Sequence, residues 1–359
     1  IYFHYRPLEG SGSAYSRMYN IIGGHPYKKP AIVENAVLQG EIDELVQEAA
    51  RVNHVADLSH ATIGETLLVA QYLEQKTGLP FIRMDQGSPG LPCNTYGIEA
   101  EKKALDNGAN NQYPAAAGIP ELKDAASRFV KAFMDIDVSA RACIPTVGSV
   151  AGSFGAFIAC CQRDEKKHKV LFIDPGFPIQ KSQLRILGIG WKSFDIYPYR
   201  GEALRAKLLE EVKDGDVAAI IYSNPNNPAW ISLEEDELRI IGEIATEHDI
   251  IVMEDLAYFA MDSRRDLSRP FQAPYVRTVA RYTDNYLLML SASKIYSYAG
   301  GRIALVCISD KLFDRQFPAL AKRYNDSGVF YTATGFFIGE DGHIATNRHV
   351  AKPWESENI

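Results

Sequence analysis

The chain has 359 residues and a formal net charge of -7, and 46% of its residues are hydrophobic. A single core stops growing at roughly 250 to 300 residues, so this length predicts a large lobe and a smaller one. The acidic balance argues against a nucleic-acid surface, and no apolar run approaches the ~20 residues needed to span a bilayer. We expect neither a nucleic-acid nor a membrane partner.

The cysteine and histidine content argues against disulfides and metal. The five cysteines have no paired CxxC spacing, and the eight histidines show no HExxH pattern. We therefore expect reduced thiols and no metal site. The first residues do not resemble a secretory signal, so a cytoplasmic location is expected by default.

In chain order, residues 34–77 predict two helices and residues 113–133 predict a loop that leads into a helix. Residues 148–161 are small and apolar, which is typical of a helix packed tightly against a sheet after a glycine turn. From residue 169 onward, short apolar runs alternate with amphipathic helices, a pattern that requires a mostly parallel α/β sheet. The predicted strands are 170–174, 191–196, 217–222, 250–253, 286–290 and 303–308, with helices at 202–212 and 234–247.

A lysine follows the predicted strand 286–290, which is the second-to-last predicted strand. Lys294 lies in the run from Ser291 to Arg302, where open α/β sheets place ligand-binding residues. A lysine amine has a pKa of about 10.4 and becomes a nucleophile only when it is desolvated or lies near positive charge, which Arg302 could supply. Serine hydroxyls and an arginine fork also suit a phosphate group. Taken alone, such a lysine is more often a surface residue.

Three further turns carry polar or anion-binding groups. Asp255 follows strand 250–253, where a buried carboxylate is costly without a cation; alternatively, it caps the next turn. The run from Asn224 to Pro228 ends a strand abruptly. Gly148 opens a helix whose first N–H groups and dipole favour an anion.

The run from Ser291 to Arg302 resembles the lysine signature of the class I/II aminotransferases, which are pyridoxal-phosphate (PLP) enzymes of fold type I. The resemblance implies that Lys294 holds PLP as a Schiff base, while Ser291 and Arg302 bind its phosphate. It also implies that Asp255, in an Asp-x-Ala-Tyr run, pairs with the protonated pyridine nitrogen. Tyr258 then reaches the phenolic oxygen of the ring.

Further matches occur in the order that the family shows, and the asparagine loop is, with the lysine run, one of the two specific ones. The run from Asn224 is similar to Asn-Pro-x-Asn-Pro-Thr-Gly and implies that Asn227 contacts the phenolic oxygen, although Ala229 and Trp230 replace the usual Thr and Gly. The backbone of Ser149 and Val150 is implied to contact the phosphate.

Three more residues take roles from the resemblance. Phe177 is implied to stack on the PLP ring, although it could instead be a core residue. Tyr113 is implied to reach the phosphate of a partner subunit, which predicts a homodimer. Gly87, in a Gly-x-Pro turn, is implied to line the pocket for the substrate carboxylate.

The resemblance implies a mostly parallel, seven-stranded sheet flanked by helices, with an incomplete small domain. We expect residues 1–84 to be a helical segment of the small lobe, residues 85–308 to be the PLP-binding domain, and residues 309–359 to be a C-terminal remnant. The remnant ends in a predicted β-hairpin that turns at Asp341-Gly342. This tail resembles the histidine segment of trypsin-like proteases around His349. No orienting carboxylate or nucleophilic serine follows in the expected context, so we expect no protease activity.

The predicted function is aminotransfer between an α-amino acid and a 2-oxo acid, with Lys294 as the residue that also moves the Cα proton. A non-catalytic PLP-binding module, a β-lyase and a decarboxylase remain alternatives, because the fold does not decide the reaction. No arginine in a substrate-binding context is found, so the sequence does not predict the amino acid.

Overall fold

The computed structural model describes residues 38–316 except 80, 82–86, 88, 90, 112, 115–117 and 263, together with the short segments 336–338 and 343–345. The chain divides into two compact units between Ile98 and Glu99. The domain limits predicted at residues 84 and 308 stay predictions.

The first unit contains the two helices predicted for residues 34–77, α1 (Leu38–Val52) and α2 (Ile63–Thr77). Thr62 begins α2 with a capping box, in which its side chain accepts from Glu65 N and the Glu65 carboxylate accepts from Thr62 N. A small apolar core lies between the helices and consists of Ala49, Ala50, Val55, Val69 and Leu73. Helix α3 (Thr95–Asp106) crosses the division between the units.

The second unit is an α/β domain whose described helices and strands alternate along the chain, except that only a short 3-10 turn lies between the fifth and sixth strands. The helices are α4 (Pro120–Met134), α5 (Gly148–Cys161), α6 (Pro178–Leu187), α7 (Ala203–Val212), α8 (Glu235–Glu247), the short α9 (Ala292–Ile295), and α10, described over 310–316. The strands are β1 (Cys143–Val147), β2 (Lys169–Asp174), β3 (Gly190–Asp195), β4 (Val217–Ser223), β5 (Ile251–Leu256), β6 (Tyr286–Ser291) and β7 (Ile303–Ile308).

These strands form one seven-stranded sheet in the order β1-β7-β6-β5-β4-β2-β3. Strands β2 to β6 pair in parallel, whereas β7 is antiparallel to both β6 and β1. Every residue of β4, β5 and β6 is buried, because helices cover both faces of a parallel sheet. The prediction of a mostly parallel, seven-stranded sheet is confirmed.

Strand β1 was not predicted. Its sequence, Cys-Ile-Pro-Thr-Val, has a proline in the middle, which normally argues against a strand because proline lacks the N–H that a ladder needs. Among the described strands, β1 lies at the sheet edge and pairs only with β7, which resolves the conflict. An edge strand has one row of backbone groups outside the ladder, so Pro145 is tolerated there.

In the tail, β8 (Phe336–Ile338) and β9 (His343–Ala345) pair antiparallel, which confirms the predicted hairpin pairing. The turn predicted at Asp341-Gly342 and the histidine at position 349 lie outside the described residues. Among the residues that the structure describes, no helix has the length and apolar composition needed to cross a bilayer.

Candidate active site

The predicted site residues of the second unit converge because their strands end at the same edge of the sheet. Strands β2, β4, β5 and β6 are parallel, so their carboxyl ends lie side by side, where open α/β sheets bind ligands. Strand β1 ends there too, because it is antiparallel to β7 and its last residue, Val147, pairs with Ile303, the first residue of β7. The flanking residues Gly148 and Arg302 are therefore neighbours.

Gly148 and Arg302 form a close backbone and side-chain contact. Gly148 N donates to Arg302 O at 3.0 Å. Gly148 has a φ of +77°, and a Cβ at this position would overlap the Arg302 guanidinium, so both conformation and space require glycine. The first-turn N–H groups of α5, including those of Ser149 and Val150, have no partner within the helix. An arginine against such a helix start is suited to an anion.

Lys294 is held at this edge by a capped turn after β6. Ser291 ends β6 and caps α9, since its hydroxyl accepts from Ser293 N at 3.2 Å. Lys294 lies in the last turn of α9 and is half-buried. Burial lowers its pKa, and the charge of Arg302 lowers it further. A larger neutral fraction makes the amine a better nucleophile and base.

Asp255 is the penultimate residue of β5, so the prediction that strand 250–253 ends before it was wrong by three residues. Its side chain is buried, and it accepts from Gln180 Nε2 at 2.9 Å and from Ala257 N at 3.1 Å. Both donors are neutral amide groups, and no charged donor to Asp255 is found among the residues that the structure describes. Burial raises the pKa of Asp255 to about 6, although both hydrogen bonds act to lower it. The carboxylate therefore lies where a cation would be strongly favoured.

Gln180 was not identified from the sequence. It lies in the first turn of α6 and is 6% exposed, with its amide directed to Asp255. A signal was available, because Gln180 follows Phe177 by three residues and side chains at that spacing share a helix face.

The adjacent acid, Glu254, points to the opposite face of β5, as successive strand residues do. It is completely buried and accepts from Thr278 Oγ1 at 2.5 Å, Val279 N at 3.1 Å and Asn224 Nδ2 at 3.3 Å. Burial raises its pKa to about 7. Glu254 thus anchors the start of the loop after β4 and is separate from the Asp255 side of the strand.

Two asparagines in the loop after β4 have different environments. Asn226 is structural, since its Nδ2 donates to Pro175 O at 2.7 Å and its Oδ1 accepts from Ala229 N at 3.0 Å. Asn227 is held by its backbone, whose N donates to Ser223 Oγ at 3.0 Å. The half-buried Asn227 side chain therefore remains the loop's candidate for a ligand contact.

Trp230 in the same loop contacts Tyr258. Their ring centroids are 5.5 Å apart with an interplanar angle of 84°, an edge-to-face arrangement. Trp230 has a φ of +55°, a left-handed conformation that costs a residue with a Cβ about 1–2 kcal/mol. Burial raises the pKa of Tyr258, and the charge of Asp255 raises it further, so Tyr258 belongs to the same cluster.

The remaining predicted residues are more peripheral. Phe177 is partly buried at the start of α6, next to the carboxyl end of β2. Tyr113 is 86% exposed on the surface of the second unit. Gly87 belongs to the first unit, and its role stays a prediction.

The family model described as "Aminotransferase class I and II" matches residues 82–333. The chain belongs to this family. An aspartate aminotransferase of Pyrococcus horikoshii is 28% identical over 231 residues, which cover 63% of this chain and 55% of that protein. A probable aspartate aminotransferase of Methanocaldococcus jannaschii is 25% identical over 234 residues, 64% of this chain and 58% of that protein. This aminotransferase-family chain thus spans somewhat more than half the length of these relatives.

Solved structures agree with the fold of this family member. An aminotransferase from Mycobacterium tuberculosis superimposes with a TM-score of 0.60 at 23% identity, covering 76% of this chain and 67% of that one. The Thermus thermophilus aspartate aminotransferase with maleate gives a TM-score of 0.60 at 20% identity, covering 77% and 68%. The prediction of fold type I is therefore confirmed.

Proposed function

We propose that this family member is a PLP-dependent aminotransferase that moves an amino group between an α-amino acid and a 2-oxo acid. The observation that carries the proposal is the convergence, at one sheet edge, of an amine, a buried carboxylate and an anion cradle. These are Lys294, Asp255 and the contact between Gly148 and Arg302. Each suits a different part of PLP.

The phosphate end would be held by the start of α5. Backbone N–H groups of Ser149 and Val150 offer donors together with the positive end of the helix dipole. The Arg302 guanidinium adds a full positive charge, and the Ser291 hydroxyl adds another donor. The absence of a Cβ at Gly148 is what allows the guanidinium to lie against the helix start.

The ring end would be held by Asp255, opposite a protonated pyridine nitrogen. Among the described residues, the buried Asp255 carboxylate accepts only from neutral donors, so it resists ionisation and its pKa is raised. A cationic N–H at this position would favour the ionised acid, and the ionised acid would keep the nitrogen protonated. Phe177, Tyr258 and Asn227 follow strands β2, β5 and β4, whose carboxyl ends lie at the same sheet edge as Asp255.

When bound, PLP supplies an aldehyde that accepts the amino group and a ring that withdraws electrons. Lys294 would hold the aldehyde through Nζ. Once a substrate amine replaces it there, the Lys294 amine would take the proton from the substrate Cα. Its lowered pKa supports both roles, because only the neutral amine can act as nucleophile or base.

The partners follow from the same proposal. The substrates would be an α-amino acid and a 2-oxo acid, and the relatives named aspartate aminotransferase make aspartate the first amino acid to test. The exposure of Tyr113 leaves its hydroxyl available to a second copy of the chain, which supports a homodimer with shared sites. The cytoplasmic location stays a prediction.

The test is to incubate the protein with PLP, reduce with borohydride, and locate the modified peptide by mass spectrometry. Reduction fixes a lysine-bound pyridoxal as a stable secondary amine, so we expect the modification on Lys294. Lys294→Ala should abolish this labelling and leave the fold intact. Lys311→Ala is the matched control, since Lys311 is an exposed lysine paired with Asp284. Labelling at another lysine would refute the assignment.

A second measurement separates catalysis from binding. The loaded protein is mixed with single amino acids, starting with aspartate, and pyridoxamine phosphate is measured by chromatography. Formation of pyridoxamine phosphate supports aminotransfer. Labelling of Lys294 without any pyridoxamine phosphate would contradict it and favour a non-catalytic module or another PLP reaction.

A further inference from the structure

Trp230 stands where the family's loop pattern has glycine, and the structure keeps the backbone conformation that suits glycine. Its φ of +55° lies in the left-handed region, where a bulky side chain is strained. Glycine would adopt this conformation without strain. A strained residue beside a candidate site is a reason to ask what its side chain does.

The Trp230 backbone is fixed by its own loop. Trp230 N donates to Asn226 O at 3.0 Å, and Asn226 N donates to Ile231 O at 2.7 Å. The Asn226 side chain ties the loop to Pro175 in the turn after β2. The indole therefore projects from a loop that is held at both the β4 and β2 ends of the sheet edge.

The indole contacts Tyr258, which lies in the turn that directly follows β5. The edge-to-face contact at 5.5 Å lies against the Tyr258 ring, while half of the Trp230 surface remains exposed. A tyrosine in a loop can rotate about χ1 and χ2, and a perpendicular ring packed against it restricts this rotation. The Trp230 ring thus limits the orientations that are open to the Tyr258 ring.

We propose that Trp230 is a positioning residue that braces the Tyr258 ring and so directs its hydroxyl towards the phenolic oxygen of bound PLP. The inference rests on the proposed function, because it assumes PLP at this edge. The tryptophan that replaces the family's glycine at position 230 would then have a role in the site.

A double-mutant cycle tests the inference. Trp230→Gly removes the ring and relieves the left-handed strain, whereas Trp230→Phe keeps an aromatic ring. We expect Trp230→Gly to weaken PLP binding by about 2- to 10-fold, the range that an aromatic pair contributes, and Trp230→Phe to have a smaller effect. In the Tyr258→Phe background, where the hydroxyl is already absent, Trp230→Gly should weaken binding no further.

The second readout is the pH midpoint of the visible absorbance band of lysine-bound PLP, which a purely structural role would not move. Trp230→Gly should shift this midpoint in the same direction as Tyr258→Phe, and the double variant should shift it no further. The inference would be overturned if Trp230→Gly had the same effect with and without the Tyr258 hydroxyl, or had no effect at all. The proposed function would still stand in that case, provided that Lys294 is labelled in the parent. Absence of that labelling would overturn both. Thermal unfolding of each variant checks that it folds, and Trp230→Gly should unfold at a temperature no lower than the parent.

Discussion

Replacing Asp255 by asparagine should stabilise the PLP-free protein at neutral pH. Asparagine has the same shape, its Oδ1 can accept from Ala257 N, and its Nδ2 can donate to the Gln180 amide once that amide turns over. The hydrogen bonds are thus kept, and the change that remains is the loss of a buried negative charge.

The magnitude follows from the pKa of Asp255, which burial raises from 3.8 to about 6. One pKa unit corresponds to about 1.4 kcal/mol, so the ionised side chain costs the folded state about 3 kcal/mol at most. Because the folded protein binds this proton more tightly than the unfolded chain, the parent loses stability as pH rises from about 4 to about 6. Asp255→Asn does not titrate and keeps that stability.

The assay is urea unfolding of the PLP-free parent and variant at about pH 4 and about pH 8. The free energy of unfolding of Asp255→Asn minus that of the parent should increase by about 1–3 kcal/mol from the lower to the higher pH. Asp262→Asn is a control of opposite sign. The hydrogen bond from Arg264 lowers the pKa of Asp262, so the ionised carboxylate stabilises the folded protein. Removing that carboxylate should therefore destabilise the protein more at the higher pH. A difference for Asp255→Asn that does not change with pH would refute the reasoning.

The same variant separates stability from function. With PLP bound, Asp255→Asn should retain the cofactor through the phosphate contacts but lose at least about tenfold in turnover, since an amide cannot stabilise a protonated ring nitrogen. Turnover within a few-fold of the parent would show that Asp255 is a structural acid.

Two further predictions concern the phosphate end. Gly148→Ala should weaken PLP binding, measured by equilibrium dialysis, because a Cβ there displaces the Arg302 guanidinium. Gly155→Ala on the same helix, where a Cβ meets nothing within 4 Å, should not weaken it. Equal affinity in both variants would show that Arg302 does not contribute to phosphate binding. Tyr113→Phe should loosen PLP in a dimer if the hydroxyl reaches the partner's phosphate, and a monomer by light scattering with full PLP occupancy would contradict the shared site.

The sequence predicted the elements whose signals are local. The continuous apolar run of β4 was recognised because a strand buried on both faces needs no polar alternation, whereas β5 carries Glu254 and Asp255 and was predicted only as far as Met253. Helix α5 was predicted with its observed bounds from its small residues and its glycine start. Strand β1 was missed because Pro145 is allowed only at a sheet edge, and edge position is not a local property.

The sequence by itself determined which chemical groups follow each strand, including the lysine after β6, the carboxylate near the end of β5 and the glycine before α5. Only the tertiary structure decided which of them are neighbours, since the strand order β1-β7-β6-β5-β4-β2-β3 differs from the chain order. The contact of Gln180 with Asp255 and that of Trp230 with Tyr258 arise from this order. Strand periodicity records which face a residue occupies, whereas strand adjacency is set by long-range pairing and crossover packing, which leave no local pattern in the sequence.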